Sequence, residues 1–364
     1  MGHPLILAID PGSTSTKIGI FRDLEMIFEV TITHPVESLR RFFHIAEQFE
    51  YRKEHILYTL REQAVNPRLI AAVVGRGGLV RPLPSGVYEM NEALSTDLKK
   101  GVLGEHASNL GGLIAQDIAY QIPNARAFIA DPVVVDELDE VARIAGHPLF
   151  TRQSIFHALN QKAIARAHAA KMGRKYEEMY IIVAHLGGGI TIGAHRNGCV
   201  VDVNQGLNGE GPFSPERSGT LPTGQLVDLC FSGEYSKRDV KEMLAGKGGY
   251  VAYLGTNNAE EVEEAAHRGD GMSRVIRDAL VYQVAKEIGA LSTVLEGRVD
   301  AILLTGGLSY SRSLTGDITR RVRHLGEVFL YPGEEELKAL AWHGWAALTG
   351  AEEIRSYPAE SFEQ

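Results

Sequence analysis

Three short polar turns in this chain are built from residue types that can hold phosphate. The first, "DPGSTST" (10–16), offers Asp10, Gly12, Ser13 and Thr14, with Lys17 directly after it. The second, "HLGGG" (185–189), sets His185 ahead of Gly187, Gly188 and Gly189. A phosphate-binding turn needs main-chain N–H groups aimed at one point, and glycine or small hydroxyl residues let the chain come that close. His185 follows four apolar strand residues and precedes the glycines, so its ring is expected to project from a strand end towards phosphate rather than into a core. The third turn, "TGGLSYS" (305–311), puts Gly306 and Gly307, with Ser309 beside them, where a flat ring could lie against bare backbone; it is read as the nucleoside turn. No G-x-x-x-x-G-K-[ST] occurs, and the glycines of "GGGITIG" are misplaced for G-x-G-x-x-G, which disfavours a P-loop NTPase and a Rossmann dehydrogenase.

The first two turns sit in a repeated plan. "LILAI", "DPGSTST", "KIGIF" and "MIFEVTI" read as strand, turn, strand, strand, and "YIIVA", "HLGGG", "ITIGAHRNG" and "CVVDV" repeat this about 175 residues later. Asp10 then corresponds to His185, Gly12 to Gly187, and Arg22-Asp23 to Arg196-Asn197, the signature of an internal duplication. Helical patterns are predicted over 36–50, over 154–172 with Ser154 as N-cap, and over 272–297 closed by a glycine. Helices alternating with apolar strands indicate α/β layers, whose ligands gather at loops leaving the strand ends.

At 364 residues the chain exceeds the roughly 250 to 300 at which one core stops growing, so two domains are expected. A formal charge of −9 gives no general attraction to nucleic acid or anionic membrane, and neither partner is expected. Cys199 and Cys230 are too few for a disulfide framework. With no signal-peptide pattern and no run near the ~20 apolar residues of a membrane span, a cytoplasmic location is expected.

Two phosphate hairpins and a nucleoside turn in this order resemble the actin-like ATPase and sugar-kinase superfamily. Within it, "NQGLNGEGPFSPERSGTLP" (204–222) resembles the acetate and butyrate kinase family, and "SPERSGTLP" its butyrate kinase branch. "VVGRGGLVRP" (73–82), "HASNLGG" (106–112) and "ADPVVVDEL" (130–138) are similar to the same branch in the same order, so the resemblance runs from end to end. It implies an α/β fold of two duplicated actin-like (ribonuclease H-like) domains with a nucleotide cleft between them, residues 1–152 plus 336–364 and residues 153–335. It further implies ATP/ADP and Mg²⁺ as cofactors, a homo-oligomer, and reversible transfer of the γ-phosphoryl group to butyrate or a branched short-chain acid. The alternatives are an acetate or propionate kinase of the same family, and a non-catalytic nucleotide-binding regulator of actin fold.

Phosphoryl transfer to a carboxylate brings two anions together, so arginines, a divalent metal and hydrogen-bond donors are required. By resemblance Arg217 binds the transition state or the acid, and Arg76, in "GRGG" with Arg81 as understudy, supplies a second cation. Departing from the acetate kinases, the arginine here follows the Val-Val pair instead of preceding it. Asp131 resembles the family's metal-associated aspartate, and Glu336, among Glu334, Glu335 and Glu336, a further metal-linked acid. Asp10 stands where acetate kinases carry asparagine, and an acid can also orient metal-bound water. His106 is the candidate for a second active-site histidine.

Overall fold

The computed structural model describes residues 4–358. The chain divides into two compact units, residues 1–136 with 335–364 and residues 137–334.

In the first unit "LILAI" lies within β1 (Leu5–Pro11), buried at every position. It turns back antiparallel into β2 (Ser15–Arg22) and then β3 (Glu25–Thr33), the edge of the sheet. On the other side of β1, β4 (Ile70–Arg76) and β6 (Arg126–Ala130) add in parallel. A short β5 (Val87–Glu89) and the two-residue strand Ile354–Arg355 complete seven strands. The second unit places β7 (Tyr180–Leu186), β8 (Ile190–Arg196), β9 (Cys199–Val203), β10 (Ala301–Gly306) and β11 (Val328–Pro332) in the order β11-β10-β7-β8-β9.

Without β5 and the last short strand, the first sheet reads β6-β4-β1-β2-β3, with the same order and directions as the second. The duplication extends to local detail. Asp23 and Asn197 both take a left-handed φ of 54° at the hairpin turns. The ladders slip between Ile20 and Phe21 and again between Ala194 and His195. A shared irregularity of this kind marks a common plan, because bulges are specific features of a fold.

Side chains alternate across a strand, so the central strands must be covered on both faces. Ile181 and Val183 of β7 pack with Ile164 and Ala165 of the helix Ala158–Lys171. Ile182 and Ala184 pack on the other face with Leu280, Val284 and Ile288 of the helix Gly271–Val294. In the first unit the helix Glu336–Thr349 lies on β1 and β4, close enough that a Cβ on Gly344 would be 2.7 Å from Val74 and 3.0 Å from Ile6. No helix among the described residues is long and apolar enough to cross a membrane.

Some expectations need correction. Residues 36–50 do not form one helix: Val36–Leu39 makes a single turn, Ile45–Gln48 is 3₁₀, and the long helix runs over Phe49–Glu62. Side chains take up the intervening N–H groups, for Glu47 accepts from Phe43 and Glu105 accepts from Ile45. The second helix starts at Ala158, so Ser154 is no N-cap; Gly206 N–H donates to Ile155 O and draws that segment towards the loop after β9. Residues 137–152 lie with the second unit, tied to it by Glu137 to Lys162, Asp139 to Arg196 and Arg152 to Asp202.

His34, just after β3, is buried with Nε2 2.9 Å from Thr16 Oγ1. Burial, aided by the Arg52 guanidinium, lowers its pKa from 6.5 to about 4. Between these values the unfolded chain binds a proton that the folded chain refuses, so the contribution to stability is complete above 6.5 and declines as pH falls towards 4. Urea titrations at a series of pH values should show the midpoint falling through this window, with a shallower fall in His34→Gln.

Candidate active site

In the second unit β7 ends at His185-Leu186 and the chain reverses over three glycines, where Gly187 N–H donates to Gly189 O at 3.2 Å. The loop after β9 is fastened over this reversal. Ser214 Oγ donates to Gly188 O at 2.5 Å and accepts from Arg217 N–H at 3.1 Å. Arg217 Nη1 donates to Gly206 O at 2.8 Å, and its guanidinium lies directly over Gly189: a Cβ there would be 1.9 Å from Nη1 and 2.2 Å from Cζ. A cation is therefore held against bare main chain at the end of the central strand.

His185 is 1% exposed, which makes it a buried group at the turn. Its Nδ1 lies 2.8 Å from Asn160 Oδ1 and its Nε2 3.4 Å from Glu334 Oε1. The His157 ring stacks on it, with centroids 3.8 Å apart and planes 10° from parallel. The third turn adjoins the same place, since Thr305 is level with His185 across the β10/β7 ladder. Gly306 has φ 88°, where a Cβ would strike Leu186 O at 2.3 Å, and it exchanges main-chain hydrogen bonds with Gly333. Those bonds set Glu334 beside the histidine. Around Gly307 a Cβ would meet nothing within 4 Å, whereas Ser309 is buried with its hydroxyl donating to Thr305 O.

The first unit has its own cluster. Asp10 Oδ1 pairs with Arg76 Nη1 at 3.1 Å, and Asp10 stands opposite Lys17 in the β1/β2 ladder. The turn closes by Gly12 N–H to Ser15 O at 2.8 Å, leaving Ser13 and Thr14 at its tip. Arg52, wholly buried, secures it from behind by donating to the carbonyls of Gly12, Ser13 and Ser15 and to Thr16 Oγ1. Burial lowers its pKa to about 10, so it remains a cation at neutral pH. The glycines around Arg76 serve packing: a Cβ on Gly75 would be 2.1 Å from Gly111 O, and one on Gly111 would be 2.4 Å from Arg76 O. They let the helix Asn109–Tyr120 approach β4 main chain to main chain.

Asp131 has both oxygens engaged, Oδ1 by Ser85 Oγ (2.5 Å) and Gly86 N–H (2.8 Å), Oδ2 by His343 Nε2 at 3.2 Å. With φ 35° it occupies the left-handed region that non-glycine residues avoid, held there by these partners. Its geometry is that of an anchor rather than of an open ligand position. Glu336 is buried in the first turn of the helix Glu336–Thr349, and Glu335 pairs with Lys338. Arg81 is tied to Asp97, which also accepts from Tyr357; burial and Asp97 push that phenol up to about 12. His106 lies ahead of the helix Asn109–Tyr120, its Nδ1 2.9 Å from Ser108 Oγ.

Sequence reasoning missed His157, Asn160 and Arg52, and among Glu334, Glu335 and Glu336 it favoured Glu336, whereas Glu334 is the one beside His185. The first two leave a trace in "FHALNQ", where polar residues interrupt an alanine-rich helix start; Arg52 reads as an ordinary surface arginine. Gly189→Ala should displace the Arg217 guanidinium and weaken ATP binding, measured calorimetrically, by roughly tenfold or more. Gly307→Ala, having open space for its methyl group, should leave the unfolding midpoint unchanged.

Three solved structures share this fold over nearly their whole length. An acetate kinase from Porphyromonas gingivalis matches with 18% identity and a TM-score of 0.77, covering 95% of this chain and 100% of that one. A propionate kinase from Francisella tularensis subsp. tularensis SCHU S4 matches at 16% identity and 0.73, covering 93% and 98%. An acetate kinase from Entamoeba histolytica matches at 17% and 0.73, covering 92% and 97%. At such identities the likeness establishes the fold, two duplicated actin-like domains. The sequence itself matches the model of the Acetokinase family over residues 144–329, half of the chain, which takes in the glycine turn, His185, Arg217 and the whole of the third turn, 305–311. On that match, this chain belongs to the acetokinase family.

Proposed function

We propose that the chain is a butyrate kinase, transferring the γ-phosphoryl group of ATP reversibly to butyrate or a branched short-chain acid. The observation that carries the reading is the Arg217 guanidinium held against Gly189 beside the buried His185. A positive group fixed in advance where negative charge gathers needs no reorganisation during the reaction. The "SPERSGTLP" segment that delivers it supports the butyrate branch over acetate.

The acid's carboxylate oxygen attacks the γ-phosphorus in line, the new O–P bond forms as the β,γ-bridging P–O bond breaks, and ADP leaves as an anion. Because the nucleophile is already ionised, no general base is required. His185 therefore acts as a hydrogen-bond donor to phosphoryl oxygens, and Arg217 and Arg76 neutralise charge. Gly187, Gly188 and Gly189, with Gly12, Ser13, Thr14 and Lys17, are assigned to the phosphates. Gly306 and Gly307 are assigned to the nucleoside, and Ser309 shapes that turn.

Among the described residues no three His, Cys, Asp or Glu converge on one point. Mg²⁺ keeps water and phosphate oxygens and takes only one or two carboxylates. Asp10 and Glu336 are the carboxylates we assign to it, and when bound it would neutralise the β- and γ-phosphate oxygens. Asp131, whose oxygens are engaged, holds the Ser85-Gly86 segment in place.

The similarity to acetate and propionate kinases favours a second reading in which a shorter acid is preferred. One methylene changes discrimination by only about 1–3 kcal/mol, so the acid pocket decides between them. Purified protein with ATP, Mg²⁺ and two- to five-carbon acids, trapped with hydroxylamine, should give the most hydroxamate with butyrate or isobutyrate. Preference for acetate or propionate would select the second reading, and no hydroxamate with any acid would select a nucleotide-binding regulator. Arg217→Ala should lower kcat/KM by at least roughly a hundredfold, corresponding to a lost charge-assisted contact in the transition state.

A further inference from the structure

Arg52 presents the N–H hydrogens of its guanidinium group to neutral oxygens. Nε and Nη2 donate to Gln48 Oε1 at 3.0 and 2.9 Å, and Nη2 also donates to Ser13 O at 3.0 Å. Nη1 donates to Gly12 O, Ser15 O and Thr16 Oγ1 at 2.8, 2.9 and 3.1 Å. These bonds use every hydrogen the group possesses, and the side chain has no exposed surface. A cation held in this way is solvated by dipoles, but its charge is not cancelled. The field reaches its surroundings: burial first and the Arg52 charge second lower the pKa of His34, the partner of Thr16, to about 4.

The same bonds decide which way the amides of the turn face. A trans peptide directs its C=O and the following N–H to opposite sides. Gly12 O and Ser13 O both point at Arg52, so the N–H groups of Ser13 and Thr14 are turned away from it, and both residues are exposed at the tip. Two successive N–H groups on an outer face form a recess for an anionic oxygen. Each of these peptide dipoles has its negative end on the buried cation and its positive end on the outer face.

We infer that Arg52 is a positioning residue for the phosphate chain of the nucleotide: it fixes the Ser13 and Thr14 amides as donors and supplies, from behind the turn, positive charge that the arriving anion balances. The inference deepens the proposed phosphoryl transfer and rests on it for the identity of the anion. The residue type follows from the double task. A lysine would carry the charge, but its compact ammonium has three donors at one point and cannot span the carbonyls of Gly12, Ser13 and Ser15 together. A glutamine could bond to a carbonyl but would bring no charge.

The test uses the full-length protein near neutral pH, with inorganic tripolyphosphate and ATP as probes. Calorimetry should show both binding roughly tenfold or more weakly to Arg52→Gln, with a smaller loss in Arg52→Lys, which keeps the charge. Binding to Arg52→Gln should also respond less to added salt than binding to the unaltered protein, a change that loosening of the turn alone would not produce. A measurement on the unaltered protein guards against variants that fail to fold. In ¹⁵N-threonine-labelled protein, the Thr14 amide signal, identified by its loss in Thr14→Ser, should move downfield as tripolyphosphate is added. Equal losses in the two Arg52 variants with an unchanged salt response, or a Thr14 amide indifferent to tripolyphosphate, would overturn the assignment. Since none of these measurements needs turnover, failure of every acid as substrate would remove the kinase reading alone. Hydroxamate formation together with undiminished tripolyphosphate binding in Arg52→Gln would remove this inference alone.

Discussion

The second unit is organised around the contact between the Arg217 guanidinium and the main chain at Gly189. Any side chain at that position would occupy the same volume, so the turn must be bare for the cation to lie there. The cation in turn needs its loop, and Ser214 fixes that loop by holding Gly188 O on one side and Arg217 N–H on the other. Glycine, serine and arginine thus form one device, in which each residue type is required by the geometry of the next.

Much of this could be read from residue order. The paired hairpins were visible because β1 and β7 are apolar runs ending in turn chemistry, and the correspondence of Asp10 with His185 holds strand by strand. The long helix 271–294 was visible because its apolar residues recur with helical spacing. The helix expected over 36–50 failed for a local reason, since carboxylates at 47 and 105 satisfy main-chain donors that a helix would otherwise use. Partners brought together by tertiary structure left weaker traces. His157 meets His185 only because the helix beginning at Ala158 is laid on β7, and Glu334 reaches it only through the Gly306-Gly333 bonds. Among three adjacent glutamates, sequence carries no information on which one that pairing selects.

The two hairpins also show how one scaffold can carry unlike chemistry. In the first, an acid faces a lysine across the ladder; in the second, a histidine faces a threonine at the corresponding place. The supports behind the turns differ as well. Arg52 fills the space behind the first turn with a buried cation bonded to three carbonyls. The backbone plan is conserved between the halves while charge and hydrogen-bond direction are not.

The first unit is assembled from both ends of the chain. Residues 1–136 supply six strands of its sheet, but the seventh, Ile354–Arg355, the helix over β1 and β4 and the His343 that holds Asp131 come after residue 335. During synthesis, therefore, the earliest sheet emerges with one apolar face uncovered and must wait until the whole second unit has been made. The covering of that face is thus a long-range event in sequence, completed only when residues after 335 return to β1 and β4.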